Sequence, residues 1–305
     1  MEWCSAHLYT AGVPVGTVLK LFLKPFTAKH TANGTLGRFF YVRYFDTGAH
    51  IRFRFYGTAA VNKALCEALE NTYTQWRMAF THPPAPQEEL VRYTPYLPEF
   101  TRYGGRGLID LAEEYFVLSS RTMLSLIDDS EVNRYENILA QGIQLNFIFV
   151  NTLRKIGIDV EALLTMATDS WLPFTVGRLM GRDLYVKGTL HEKEVCLSVF
   201  RENFAGQRKS IFNSLVALEQ YQEELWDQPV EDTDGLIEWI AGNVALLQTI
   251  EQRLDKQGLS GPEKESIRFS VYSSLMHMNN NRIGVVNHDE SYIAYILKEY
   301  ISRPE

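Results

Sequence analysis

Residues 39–56 read FFYVRYFDTGAHIRFRFY, and this stretch decides the fold of the N-terminal part of the chain. Two runs rich in aromatic and β-branched residues flank a short break at residues 46–49, which is a pattern typical of a β-hairpin. Alternate side chains of a strand point to opposite faces of the sheet. The apolar face of the second run then consists of Ile51, Phe53 and Phe55, and the cationic face of His50, Arg52 and Arg54.

The cationic face has two interpretations. It is either the solvated outer surface of a half-buried sheet or a site for an anion. The planar, permanently charged guanidinium groups of Arg52 and Arg54 suit carboxylate or phosphate, and their aromatic flanks favour a sheltered setting. The spacing alone leaves both interpretations open.

The composition is that of a soluble globular protein. The 305 residues are 46% hydrophobic and 22% charged, which is enough for a substantial core. The net charge of -7 argues against a broad nucleic-acid surface, since binding to phosphates depends on clustered Lys and Arg. We therefore expect no direct nucleic-acid partner.

The three cysteines and the N-terminus point to the cytoplasm. Cys4, Cys66 and Cys196 are scattered, which is typical of reduced thiols rather than of a disulfide framework or a zinc site. The N-terminus lacks the layout of a signal peptide, and no apolar run reaches the ~18 residues of a membrane span. We expect a cytoplasmic protein without a membrane partner.

Strands and helices alternate before about residue 105. The patterns predict strands at residues 3–10 and 90–96 besides the hairpin, and helices at residues 15–29 and 59–80. Thr58 is a predicted N-cap for the second helix. The proline-rich residues 82–86 predict an exposed connection.

The remainder of the chain has helical periodicity almost throughout. Predicted helices cover residues 108–127, 131–156, 160–171, 190–203, 207–225, 235–256, 262–278 and 290–301. Strands followed by helices predict an α+β fold, with an N-terminal antiparallel sheet and a mostly helical C-terminal half. We expect one domain over residues 1–305, with a sheet-containing part (1–105) and a helical part (106–305).

Four blocks in the same order resemble the C-terminal, small domain of lantibiotic dehydratases, a family also known as thiopeptide-type bacteriocin biosynthesis proteins. The hairpin is similar to the family pattern FF.RY.D...H.R.R, and YLPEFTRYGG at residues 96–105 to Y.PE..RYGG. AEEYFVLSS at residues 112–120 resembles AE..F..DS, with Ser119 where the family usually has Asp. HMNNNR at residues 277–282 resembles HM..NR. The blocks span nearly the whole chain.

Arg102 precedes two glycines that let the backbone turn tightly. Taken alone, it is equally well a surface residue beside an ordinary turn. The resemblance implies that it joins Arg52 and Arg54 in the active site, where three guanidiniums without acidic partners repel one another unless an anion lies among them. The resemblance makes that anion a glutamyl group.

His277 lies on a predicted helix whose apolar stripe faces elsewhere, beside a small polar face of serines. A solvent-facing histidine is the ordinary interpretation, and the resemblance favours proton transfer instead, because an imidazole titrates near neutrality. The other histidines form no close pair of metal ligands, and His288-Asp289-Glu290 is explained by helix N-terminal charge and capping. We predict neither a metal nor another cofactor.

The resemblance implies a β-elimination. In the full-length family a larger domain transfers glutamate from glutamyl-tRNA to Ser or Thr of a precursor peptide, and the small domain removes it. This chain is then expected to be the stand-alone elimination lyase of a split dehydratase, partnered by the precursor peptide, with its leader and glutamylated core, and by a separate glutamylation protein. Predicted catalytic residues are Arg52, Arg54, Arg102 and His277, and predicted substrate-binding residues are Arg43, Tyr44, Glu99 and Tyr103.

Two other functions stay open. A thiopeptide pyridine synthase joins two dehydroalanines in a formal [4+2] cycloaddition and expels the leader peptide, without a glutamate pocket. A noncatalytic scaffold would bind a leader peptide, for example by adding it as a strand to an exposed sheet edge. The sequence also leaves open whether the chain forms a homodimer and whether it is a piece of a larger protein.

Overall fold

The computed structural model describes residues 1–80, 89–127, 134–182, 185–226 and 235–303, so the proline-rich connection predicted at residues 82–86 lies outside the described residues. The described strands form an antiparallel sheet in the spatial order β2-β3-β1-β4. Their bounds are Glu2–Tyr9 (β1), Arg38–Tyr44 (β2), His50–Gly57 (β3) and Val91–Tyr93 (β4).

The predicted hairpin is confirmed as β2 and β3, which pair from Tyr44 opposite His50 to Arg38 opposite Tyr56. Its apolar face is buried as expected, with Ile51, Phe53 and Phe55 no more than 1% exposed. The cationic face continues onto the central strand β1, where His7 lies opposite Arg52 and Ser5 opposite Arg54.

The N-terminal helices cover the apolar face of the sheet. They are Val15–Val18 (α1), a π-helical turn at Leu19–Leu23, Lys24–Ala32 (α2) and Ala59–Met78 (α3). Thr58 caps α3 as predicted, since its hydroxyl accepts a hydrogen bond from the Val61 N–H at 3.3 Å. Phe26 of α2 packs edge-on against Phe53, with ring centroids 6.3 Å apart.

The described residues of the C-terminal part form helices joined by short connections. Its helices are Ile109–Ser125 (α4), Tyr135–Lys155 (α5), Val160–Leu179 (α6), Leu190–Leu225 (α7), Gly235–Asp255 (α8), Gly261–Ile283 (α9) and Asn287–Ile301 (α10). The α+β fold class is therefore confirmed. None of the described helices is both long and apolar enough to cross a membrane.

Three helices run further than the sequence predicts. α6 continues past Trp171 through Pro173, whose missing N–H loses one hydrogen bond in an otherwise buried helix. α7 is one helix of 36 residues, not two, because Phe204 and Leu215 are buried on either side of Gly206. α9 continues to residue 283, so the HMNNNR block occupies its last turns.

The edge of β2 is closed by side chains of the helical part. The Tyr41 N–H donates to the Ser120 hydroxyl of α4 at 3.1 Å. Asn281 of α9 accepts from the Arg43 N–H at 2.9 Å and donates to the Arg43 carbonyl at 3.0 Å. A peptide strand therefore cannot pair with β2 at these residues.

Candidate functional site

A cleft of about 660 Å³ lies where the hairpin meets the C-terminal helices. The end of β2, the segment before α4, and parts of α6, α9 and the α9–α10 connection form its walls. The predicted site residues that line it are Arg43, Tyr44, Glu99, Arg102 and His277. Its volume is in the usual range for a site that encloses a small ligand.

His277 lies on α9 with its imidazole fixed on two sides. Its Nδ1 atom is 2.9 and 3.1 Å from the two carboxylate oxygens of Glu290. The Trp171 ring stacks on it with centroids 4.4 Å apart and an angle of 18° between the planes. The side chain is 15% exposed, so it is neither solvent-facing nor part of an apolar core.

Glu290 is a site residue that the sequence did not reveal. It lies in the first turn of α10, where capping was predicted, but its carboxylate binds His277 and accepts from Asn280 Nδ2 at 3.2 Å. The side chain is 2% exposed, and burial raises the pKa of Glu290, while its contacts with His277 and Asn280 act in the opposite direction. Asp289 likewise does not cap the helix, because it accepts the Tyr135 hydroxyl at 2.6 Å.

Arg102 is held next to His277 by the serine face of α9. Its Nε donates to the Ser274 hydroxyl at 3.0 Å, and its backbone carbonyl accepts from Ser270 at 3.1 Å. Ser274 and His277 are three residues apart and so lie on one face of the helix. The following turn needs glycine, because Gly104 has a φ of 76° and a Cβ there would lie 2.5 Å from Leu108.

Arg54 makes no hydrogen bond or ion pair with any described residue, and its Nε is buried without an acceptor. Its guanidinium carbon lies 4.6 Å from the centroid of Tyr96 and 5.3 Å from that of Phe40. Burial lowers the pKa of Arg54, and the charges of Tyr96, Tyr44 and, to a lesser extent, Glu99 partly offset this effect. It is a half-buried cation without a matching anion in the described chain.

Arg52 has several partners within the hairpin. Its Nη2 lies 2.8 Å from the Asp46 carboxylate, its Nε donates to Nε2 of His50 at 3.3 Å, and its guanidinium carbon is 3.4 Å from the Tyr44 ring centroid. Arg102 also has a carboxylate partner, Glu99 at 3.3 Å. The expectation of three arginines without acidic partners is thus wrong for two of them and holds for Arg54 among the described residues.

Two predicted substrate-binding residues are occupied by structural contacts. Arg43 donates from Nε to the Arg282 carbonyl at 3.1 Å and from Nη2 to the Ile283 carbonyl at 2.8 Å, which satisfies the end of α9. Tyr103 is 3% exposed and packs edge-on against Phe116, with ring centroids 5.0 Å apart. Arg43 lines the cleft all the same, whereas Tyr103, like Arg52 and Arg54, does not.

Arg282, the last residue of the HMNNNR block, is fully buried. Its Nε donates to Ser120 at 2.9 Å and its Nη1 to the Met278 carbonyl at 3.2 Å, and it has no carboxylate partner among the described residues. Burial lowers the pKa of Arg282 to about 10. Ser119, at the position where the family usually has Asp, donates to the Phe116 carbonyl and adds no negative charge.

The comparisons with known proteins agree with the architecture. A sequence model of the lantibiotic biosynthesis dehydratase C-terminal family matches residues 3–301. The epidermin biosynthesis protein EpiB of Staphylococcus epidermidis is 20% identical over 303 residues, which are 98% of this chain and 26% of that protein. The chain thus spans about a quarter of the length of this curated relative.

Three solved structures share the fold. The pyridine synthase TbtD from thiomuracin biosynthesis is 12% identical, with a TM-score of 0.70 over 99% of this chain and 98% of that one. TsrL is 14% identical, with a TM-score of 0.61 over 100% and 99% of the two chains. The tRNA-dependent lantibiotic dehydratase MibB from Microbispora sp. 107891 is 16% identical, with a TM-score of 0.59 over 97% of this chain and 28% of that one.

Proposed function

Because the chain belongs to the lantibiotic biosynthesis dehydratase C-terminal family, we propose that it eliminates glutamate from glutamylated Ser or Thr of a precursor peptide. The products are dehydroalanine and dehydrobutyrine, and a separate glutamyl-tRNA-dependent protein supplies the glutamylated peptide. The observation that carries the proposal is the cleft in which His277, bound to a buried carboxylate, lies beside Arg102.

The reaction needs a base for a weakly acidic proton. His277 accepts the α-proton of the glutamylated residue at the ring nitrogen that does not contact Glu290. The electron pair of the broken C–H bond forms the Cα–Cβ double bond. The Cβ–O bond breaks, and glutamate leaves with the electron pair of that Cβ–O bond on its carboxylate. The imidazole retains the proton and afterwards passes it to solvent.

The arginines stabilise the charge that develops on the leaving group. Fixed cations in a partly enclosed site lower the barrier because they need no reorganisation when the charge appears. Arg102 donates to Ser274, one helical turn from the base, and Arg54 makes no hydrogen bond or ion pair with any described residue. Arg52 lies on the cationic face of β3 beside Arg54. It is held there by Asp46 and stacks on Tyr44.

The remaining predicted residues shape the cleft. Tyr44 supports Arg52, and Glu99 holds Arg102 until a substrate carboxylate replaces it. Arg43 fixes the α9–α10 connection against the hairpin, and Tyr103 supports the wall behind Arg102. We assign binding of the glutamyl group to the arginines and the positioning of the peptide to these neighbours.

The test is mass spectrometry of a peptide with a glutamyl ester on Ser, incubated with this protein alone. The expected product has lost glutamate and contains dehydroalanine, and His277→Ala abolishes its formation. His191→Ala, which changes an exposed histidine on α7, is the matched control and retains activity. If a cognate glutamylated precursor stays intact with the parent protein, the proposal is wrong.

A second candidate is pyridine formation, which the full-length fold match to a pyridine synthase favours. It predicts that a peptide with two dehydroalanines is cyclised with release of its leader, and that Arg54→Met leaves this reaction unchanged. The scaffold function predicts leader binding without any change in peptide mass. Because side chains close the β2 edge at Tyr41 and Arg43, strand addition by such a leader would need another edge.

A further inference from the structure

The carboxylate of Glu290 contacts the imidazole through one nitrogen. Both of its oxygens lie within 3.1 Å of His277 Nδ1, and no described residue hydrogen-bonds His277 Nε2. Stacking on Trp171 prevents the ring from tilting, and Asn280 prevents the carboxylate from turning away. The geometry thus separates the two ring nitrogens, with Nδ1 toward α10 and Nε2 left for the cleft that the side chain lines.

Burial disfavours the ionised form of the Glu290 carboxylate and therefore raises its pKa. The charge of His277 in its protonated form, the hydrogen bonds with His277 and Asn280, and the charge of Arg102 act in the opposite direction and favour the ionised form. Further titratable groups nearby are Asp289 of the same helix turn, Tyr135 of α5, which donates to Asp289 at 2.6 Å, and His288, whose Nε2 lies 3.8 Å from Asp289. A buried titratable group that contacts a specific partner beside a cleft is characteristic of a functional site.

We infer that Glu290 is a positioning residue that keeps the proton of neutral His277 on Nδ1 and so makes Nε2 the basic nitrogen. An ionised carboxylate can only accept a hydrogen bond, so the nitrogen that faces it must carry the proton. The catalytic meaning of this inference rests on the proposed elimination, whereas the position of the proton does not.

The first test needs no substrate. Side-chain ¹H–¹⁵N correlation spectra of the full chain distinguish the two neutral tautomers of a histidine, and His277→Gln assigns the signals. The parent protein is expected to show the Nδ1–H tautomer of His277, and Glu290→Gln is expected to lose this preference. An Nε2–H tautomer in the parent would overturn the inference, because it would mean that a protonated Glu290 donates to the imidazole.

The second test uses the kinetics of elimination. We expect Glu290→Gln to lower kcat about 100-fold with little change in KM, because the ring proton is no longer held on Nδ1 and Nε2 is no longer fixed as the basic nitrogen. Glu290→Asp keeps the charge and is expected to restore part of kcat. Asp289→Asn, in the same helix turn, is the matched control and is expected to keep the parent kcat and KM.

The outcomes separate the inference from the proposed function. If the parent eliminates glutamate and Glu290→Gln has the parent kcat and KM, Glu290 has only a structural role. If the parent shows the Nδ1–H tautomer but no elimination, the positioning holds and the proposed function fails. Should Glu290→Gln not fold, the parent and Glu290→Asp decide the question: the Nδ1–H tautomer in both proteins supports the inference, and its loss in Glu290→Asp contradicts it.

Discussion

The Nη1 atom of Arg102 lies 3.3 Å from the Oε2 atom of Glu99, and both side chains line the cleft. The two side chains are 37% and 55% exposed, so the ion pair is open to solvent. The charge of Glu99 also acts on Arg54. Glu99 thus pairs with Arg102 and acts electrostatically on Arg54, two of the arginines to which we assign the glutamyl group.

We expect Glu99→Gln to lower KM for a glutamylated peptide. The pair is exposed, so its loss changes binding by at most about 1 kcal/mol, which corresponds to roughly a two- to fivefold decrease in KM with kcat nearly unchanged. Quenched time courses followed by mass spectrometry measure both constants. An increased KM would indicate instead that Glu99 orients Arg102 for the substrate.

Arg54 is expected to contribute to activity and not to stability. Removing a half-buried cation without a partner also removes its desolvation penalty, so Arg54→Met should change the free energy of unfolding by no more than about 1 kcal/mol. It should lower kcat/KM by about 100- to 1000-fold, as loss of one fixed donor to a developing anion does. Denaturant unfolding and elimination kinetics measure the two effects.

Arg38 provides the matched control for Arg54. It lies on the same face of the sheet but has a carboxylate partner, Glu114 at 2.8 Å, and lies over the Tyr56 ring at 4.9 Å. Arg38→Met should therefore keep kcat/KM within about twofold and lower stability by up to about 1 kcal/mol. If the two variants lose activity equally, the effect at Arg54 is not specific.

Free L-glutamate, the leaving group, is expected to bind the cleft and stabilise the fold. At ten times its Kd it would add about 1.4 kcal/mol, which raises Tm by roughly 2 to 4 °C. L-glutamine at the same ionic strength should give a smaller shift, and Arg54→Met should remove the difference. Equal shifts with glutamate and glutamine would argue against a carboxylate site at these arginines.

The sequence predicted the hairpin well, because residues 51–55 alternate strictly between apolar and cationic side chains and residues 46–49 break the pattern. β2 has no such alternation, since residues 39–42 are all buried. It predicted helix ends poorly where burial overrides local signals. Pro173 does not end α6, and the polar residues 279–282 do not end α9, since Asn279, Asn280 and Arg282 find hydrogen-bond partners in neighbouring elements. Such compensation depends on contacts that are distant in sequence.

In the candidate site, the sequence predicted only those residues that belong to a sequence motif. His277 and Arg102 come together through Ser274, and the serine face of α9 was visible as a helical pattern in the sequence. The role of Glu290 was not visible in the sequence, because a Glu in the first turn of a helix is explained by the helix dipole alone. Its contact with His277 depends on how α10 returns against α9, which no local pattern specifies.

His7 is expected to make the fold less stable in acid. Its Nε2 hydrogen-bonds the Thr94 hydroxyl at 2.9 Å, and its ring stacks on His50 with centroids 5.0 Å apart. Burial, together with the charges of Arg52 and other neighbours, lowers the pKa of His7 to about 4 from its ordinary value of 6.5.

Because the pKa is lower in the folded state, the unfolded chain binds more protons between pH 4 and 6.5. Stability contributed by neutral His7 is therefore complete above pH 6.5 and is lost as the pH falls toward 4. We expect this loss to be about 1 to 2 kcal/mol, allowing for solvent screening of a half-buried ring. His7→Gln should flatten the pH dependence of the free energy of unfolding in this window, measured by urea titration, and exposed His191→Gln should not. An unchanged slope in His7→Gln would mean that other groups cause the acid sensitivity.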